Sequence, residues 1–251
     1  MGCLGINVIG LKLFHLLFRS PRDQYMTRAA CACNRWGARA FLLIAWIMRI
    51  RLIVEYEGPS PIPECLVVSN HVSIMDVPVV PGALVSHGLD NLRWAVKKAF
   101  RKYPIMGWCA EEIGNPFLGR DKDPRDLEAM RACGAMLRRQ GGSALLFVEG
   151  TRLVTVDPTS RYRNVGEPRI GGYAILRETI PERPVLTVAI KYPEAVRNGK
   201  GKKLAQTILF YGVTVRVSLR LYPAEAINAM TAAESLHLIW KDVDDALSNE
   251  P

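Results

Sequence analysis

The 251 residues are 49% hydrophobic and 23% charged, which leaves room for one sizeable core and places the chain at the apolar end of the soluble range, with apolar surface available to face lipid. Lys and Arg outnumber Asp and Glu by 33 to 24, and the formal charge of +9 favours a polyanionic partner such as nucleic acid, anionic lipid or a phosphorylated substrate. With no zinc-finger spacing, RNP-like aromatic run or lone basic helix, nucleic acid is excluded as the expected partner, and six cysteines without a C-x-x-C pair read as reduced thiols of an intracellular protein rather than a metal framework.

Residues 2–18 are largely apolar but carry Lys12 and His15 and lead into "RSPRD", so they do not read as a cleaved signal peptide. Met1-Gly2-Cys3 opens like a lipidation signal, yet Ile6 stands where that signal wants Ser or Thr. A second apolar run, Gly37–Met48, carries Arg39 near its start and Trp46, with Trp36 just before it and Arg28, Arg35, Arg49 and Arg51 flanking it. Each run is short for a bilayer span. Together they predict a helical hairpin over residues 1–49 that dips into one leaflet, with guanidinium groups at anionic headgroups. The plain alternative is two packing helices of a soluble domain.

From residue 50 to 251 the pattern is that of one α/β domain with a central mixed, largely buried sheet flanked by helices. "RIRLIVEYEG", "CLVVSN", "ALLFVEG" and "RPVLTVAIKY" read as strands, and "PRDLEAMRACGAMLRRQGG" as an amphipathic helix stopped by Gly141 and Gly142. Residues 151–172 lack periodicity and hold Arg152, Arg161, Arg163 and Arg169, a basic loop suited to an anionic ligand. "TAAESLHLIWKDVDDALSN" reads as a closing helix.

"SNHVSIMD" follows the "CLVV" strand. On a helix His71 and Asp76 would point about 140° apart; they meet only if His71 occupies the turn after the strand and Asp76 reaches back from the next element. The carboxylate would then fix the ring's tautomer and stabilise the imidazolium. Ser73 to Asp76 also spells a helix capping box, a purely structural alternative, although Pro78 and Pro81 speak against a regular helix there. His15 and His237 read as packing histidines and His87 as a turn residue. No G-x-S-x-G elbow and no second histidine at metal spacing is present. "LLFVEGTR" and "GNPFLGR" each look like an anion site, and each has an ordinary loop as its alternative.

Taken in order, these stretches resemble the glycerolipid acyltransferase family typified by lysophosphatidate (1-acylglycerol-3-phosphate) acyltransferases. Asn70, His71 and Asp76 match its N-H-x-x-x-x-D block; Gly114, Phe117, Leu118 and Arg120 match its second; Phe147, Glu149, Gly150, Thr151 and Arg152 match its third. "RPVLTVAIKYP" is similar to its fourth. "KKAFRKYPIMGW", with Lys97, Pro104, Gly107 and Trp108, is similar to the lysocardiolipin-acyltransferase-like branch. Val148 and Leu153 depart from the third block, where proline and serine are usual, on what the resemblance makes the acceptor side. The resemblance implies acyl transfer from acyl-CoA or acyl carrier protein to the hydroxyl of an anionic lysophospholipid at a membrane's cytoplasmic face, with no cofactor. It makes His71 and Asp76 catalytic, and Asn70, Lys97, Gly114, Phe117, Arg120, Glu149, Gly150, Thr151 and Arg152 substrate-binding. Two alternatives stay open: a non-glycerolipid acceptor, and a silent module that only binds anionic lipid.

Overall fold

The structure, a computed structural model, describes residues 9, 10, 12, 21–119, 123–150, 152, 159–193 and 210–248. Its frame is a six-stranded sheet. In chain order the strands are β1 (Arg51–Tyr56), β2 (Leu66–Ser69), β3 (Leu92–Trp94), β6 (Ser143–Phe147), β7 (Val185–Lys191) and β8 (Thr214–Tyr222). Across the sheet they run β1-β8-β7-β2-β6-β3. β7, β2, β6 and β3 are mutually parallel, whereas β8 is antiparallel to β7 and carries β1 with it. A separate parallel pair joins β4 (Val96–Lys97) to β5 (Phe117–Leu118).

The expected mixed, buried sheet flanked by helices is the one observed. The central strands are covered on both faces, which is why β2, β6 and β7 read as unbroken apolar runs rather than alternating ones. On one face Met130, Cys133 and Leu137 of α4 (Pro124–Gln140), Tyr173 and Leu176 of α5 (Ile170–Thr179) and Trp240 of α7 (Ala232–Ser248) close one core. Gly134 lets α4 meet α5, since a Cβ there would lie 2.0 Å from Thr179 Oγ1. On the other face Phe41 of α1 (Arg22–Met48) and Val79, Val80 and Leu84 of α2 (Asp76–Val85) close the second. Two short α-helices, α3 (Pro104–Glu112) and α6 (Ala224–Asn228), and a 3-10 helix over Lys98–Lys102 are also present.

Two expectations need correction. The run Gly37–Met48 is not a short helix of its own but the C-terminal half of the 27-residue α1, which ends at Arg49 in the left-handed conformation. Asn34 ties α1 to the sheet edge by accepting from Trp94 Nε1 at 2.8 Å and donating to the Leu92 carbonyl. The first apolar run lies almost wholly outside the described residues; Lys12 pairs with Glu112 at 2.5 Å. The second correction concerns Pro78 and Pro81, which do not prevent a helix. α2 starts at Asp76, so Pro78 falls in the first turn, where its missing N–H has no helical acceptor to lose. Pro81 lies inside and packs on α1, its ring 3.3 Å from where a Gly37 Cβ would stand.

Candidate active site

The parallel strands β2, β6 and β7 end together, and open α/β sheets gather ligands at that edge. The "SNHVSIMD" loop leaves the end of β2. Asn70 is fully buried; its amide donates to the Ile190 carbonyl at 3.0 Å and accepts from Ile190 N–H at 2.8 Å. Expected at the substrate, it instead stitches the loop to β7.

His71 Nδ1 lies 2.8 Å from Asp76 Oδ2. The same oxygen accepts the N–H groups of Val72 at 2.7 Å and Ser73 at 2.8 Å, so the carboxylate reaches back across the turn as the spacing requires. Ser73 Oγ accepts from Met75 N–H at 3.2 Å, so the reciprocal bonds of the capping alternative are made in the turn just before α2, whose own N-cap Met75 has no side-chain bond. One carboxylate therefore closes the turn before the helix and orients the ring. Asp76 is entirely buried, while 17% of the His71 side chain is exposed. A carboxylate already accepting two N–H groups accepts a third from Nδ1, which leaves Nε2 as the basic nitrogen. Nε2 makes no hydrogen bond to the described residues. Phe147 stacks on the imidazole, centroids 4.2 Å apart and planes 22° from parallel, and so fixes the ring's plane.

Glu149 enters from the end of β6. It is 8% exposed, and its two oxygens accept the N–H of His71 at 2.7 Å and of Gly166 at 2.8 Å. Burial raises its pKa to about 7, against the lowering effect of those two N–H groups. Expected in an acceptor-phosphate pocket, Glu149 is occupied with backbone and holds the His71 loop to the segment before α5. Gly150 turns the chain at φ +72, and a Cβ there would lie 2.8 Å from Arg169 Nε. Arg152 is exposed. Thr151 and Arg120 lie outside the described residues, as does Leu153. Val148 points into the core, 3% exposed, so the departure at that position does not reshape an acceptor surface as expected.

Lys97 is exposed and pairs in register with Leu118, next to Phe117, so the KKAF and GNPFLGR stretches meet as neighbouring strands. Gly114 adopts φ +77 between Met136 and Met26, and Asn115 Oδ1 accepts Trp94 N–H at 2.9 Å. The basic-loop expectation divides. Residues 161–163 line a cavity of about 750 Å³ with His237, Lys241, Asp244 and Asp245, where the Tyr162 hydroxyl meets His237 Nδ1 at 2.8 Å. His237 is therefore a groove residue rather than a packing one. Asp244 offsets the groove's cations and binds the N–H groups of Arg163 and Asn164. The ring and carboxylate with catalytic potential lie at the strand ends, not there.

One residue was missed. The Tyr192 hydroxyl donates to Asp76 Oδ1 at 2.6 Å, 116 positions along the chain. No short-range pattern marks it.

Residues 53–191 match the family model described as Acyltransferase. The chain is 33% identical over 110 residues to the lyso-ornithine lipid O-acyltransferase of Pseudomonas aeruginosa, covering 42% of this chain and 40% of that protein. It is 29% identical over 129 residues to the chloroplastic 1-acyl-sn-glycerol-3-phosphate acyltransferase BAT2 of Brassica napus, covering 51% and 33% respectively. It thus spans less than half the length of these curated relatives. The crystal structure of the 1-acyl-sn-glycerophosphate (LPA) acyltransferase PlsC of Thermotoga maritima has the same fold, with a TM-score of 0.57 at 18% identity over 99% of this chain and 97% of that one.

Proposed function

The chain belongs to the acyltransferase family, and on that premise we propose that it transfers a fatty acyl group from acyl-CoA or acyl carrier protein to the free hydroxyl of an anionic lysophospholipid. The observation that carries this reading is the 2.8 Å contact of His71 with the buried Asp76, with Nε2 left free of the described residues. Nε2 removes the acceptor's hydroxyl proton while the oxygen attacks the thioester carbonyl. Collapse of the tetrahedral intermediate breaks the C–S bond, and the departing sulfur takes the proton back from the imidazolium. Asp76 stays ionised throughout, stabilising the ring's transient charge. No enzyme nucleophile and no cofactor enters this scheme.

Lys97, Arg120, Thr151 and Arg152 are the proposed acceptor-phosphate contacts, with Gly114, Phe117 and Gly150 shaping the backbone around them. The acceptor comes from a membrane, and α1 suits that surface. Leu42, Leu43, Trp46 and Ile47 are 58–79% exposed along one side of the helix. No helix among the described residues is long and apolar enough to cross a membrane, which fits a monotopic attachment that we place at the cytoplasmic face.

A second reading has its own support. The Pseudomonas relative is named for a lyso-ornithine lipid, so the acceptor here is alternatively an amino-acid lipid without a phosphate. Free-thiol release on a panel of lysolipids and acyl thioesters separates the two. His71→Ala is expected to abolish release while preserving fold and lipid binding. Wild-type turnover by that variant would remove the mechanism, and no release by the wild type with any acceptor would favour a silent lipid-binding module.

A further inference from the structure

Asp76 is completely buried, and no lysine or arginine pairs with it among the described residues. Its charge rests on hydrogen-bond donors alone. Three of them, His71 Nδ1, Val72 N–H and Ser73 N–H, belong to its own loop and share Oδ2. Oδ1 is held by the Tyr192 hydroxyl at 2.6 Å, a short bond to an ionised acceptor and the one described bond to this carboxylate from a different element. Tyr192 stands just past β7 and one residue beyond the stretch matching the family model. It is 6% exposed, its ring edge-on to Phe210 at 5.5 Å.

We propose that Tyr192 is a positioning residue for the His–Asp pair: its hydroxyl fixes the Asp76 carboxylate and draws off part of its charge, thereby setting how strongly Asp76 favours the protonated form of His71. The proposal rests on the reading of His71 as the base. Of the carboxylate's other neighbours, Glu149 is the second titratable group facing this loop, reaching it from β6 through His71 N–H. Burial and the Asp76 charge both push the Tyr192 phenol upward, so it remains a donor over the working pH range. Without it, more of the carboxylate's charge would face His71 and the imidazolium would gain.

Tyr192→Phe keeps the ring against Phe210 and removes only the donor. The midpoint of the His71 ring titration, followed by NMR, should move to higher pH by about half to one pH unit. The acid limb of the pH–rate profile should move the same way, with a smaller loss of rate above it. Phe210→Leu disturbs the ring packing but leaves the hydroxyl, and should leave the midpoint in place. An unmoved midpoint in Tyr192→Phe, or an equal movement in Phe210→Leu, would overturn the proposal. The NMR comparison needs no turnover, so failure of the acyl-transfer reading would show separately, as a wild type with a titrating His71 and no thiol release.

Discussion

Replacing Glu149 by Gln tests whether the buried carboxylate fastens the His71 loop. In the folded protein Glu149 has a pKa of about 7, against an ordinary 4.5, with burial the largest cause. That difference corresponds to about 3 kcal/mol. Because the folded value is the higher one, the favourable contribution of protonation is complete below about pH 4.5 and is lost as pH rises through about 7. Gln does not titrate, and its NH2 group would face either the His71 or the Gly166 N–H, leaving one buried donor unpaired at about 1–3 kcal/mol. The variant should therefore be the less stable protein near pH 4.5, with the gap closed or reversed near pH 8.5. Urea unfolding at both pH values, read by tryptophan fluorescence, measures the change in the gap. A wild-type-to-variant difference that stays constant from pH 4.5 to 8.5 would refute the reasoning, because it would mean that Glu149 does not titrate differently in the folded chain.

Gly114→Ala should cost about 2 kcal/mol, lowering the melting temperature by about 4–8 °C, because φ is +77 and the new Cβ would lie 2.7 Å from Met136 Sδ and 2.8 Å from Met26 Cε. An unchanged thermal melt would show that the Met side chains yield freely. The double variant Leu43→Gln, Trp46→Gln should weaken partition onto anionic vesicles at least about tenfold in a sedimentation assay, since each loses an apolar side chain worth about 1.5–3 kcal/mol when buried. Its turnover of a short-chain, water-soluble acceptor should be unaffected, and unchanged partition would rule out this face of α1 as the contact.

What could be read from the residues was what lies close in sequence. The strands ending at Ser69, Phe147 and Lys191 are short apolar runs because helices cover both faces, and the helix ending at Gln140 stops at Gly141, where φ is +75. The contact between His71 and Asp76 follows from a five-residue spacing across a turn. The tasks of Asn70 and Glu149 did not follow, because their partners Ile190 and Gly166 are 120 and 17 positions away, and a motif match preserves residue type without recording which atoms it binds. Pro81 misled for a related reason: the lost backbone bond is local, whereas the packing of its ring on Gly37 is tertiary.

The sheet order explains why the loop needs such distant fastenings. β2 lies between β7 and β6, both parallel to it, with Ser69 in register with Val188 on one side and Phe147 on the other. β7 then runs on to Lys191, whereas β6 ends level with β2 at Phe147 and turns, and both return contacts to the loop. From the β7 side, Ile190 holds Asn70 and Tyr192 holds Asp76 Oδ1. From the β6 side, Phe147 stacks on His71 and Glu149 holds its backbone. A slip of one residue on the β6 side would turn Phe147 to the opposite face of the sheet, and one on the β7 side would carry the Ile190 backbone groups away from Asn70. The imidazole's position is thus set by the register of two strand pairs together with the bonds that Asp76 makes to His71, Val72 and Ser73 within the loop. That arrangement holds the ring in place while Nε2 stays free of the described residues, the preorganisation that the proposed proton transfer would require.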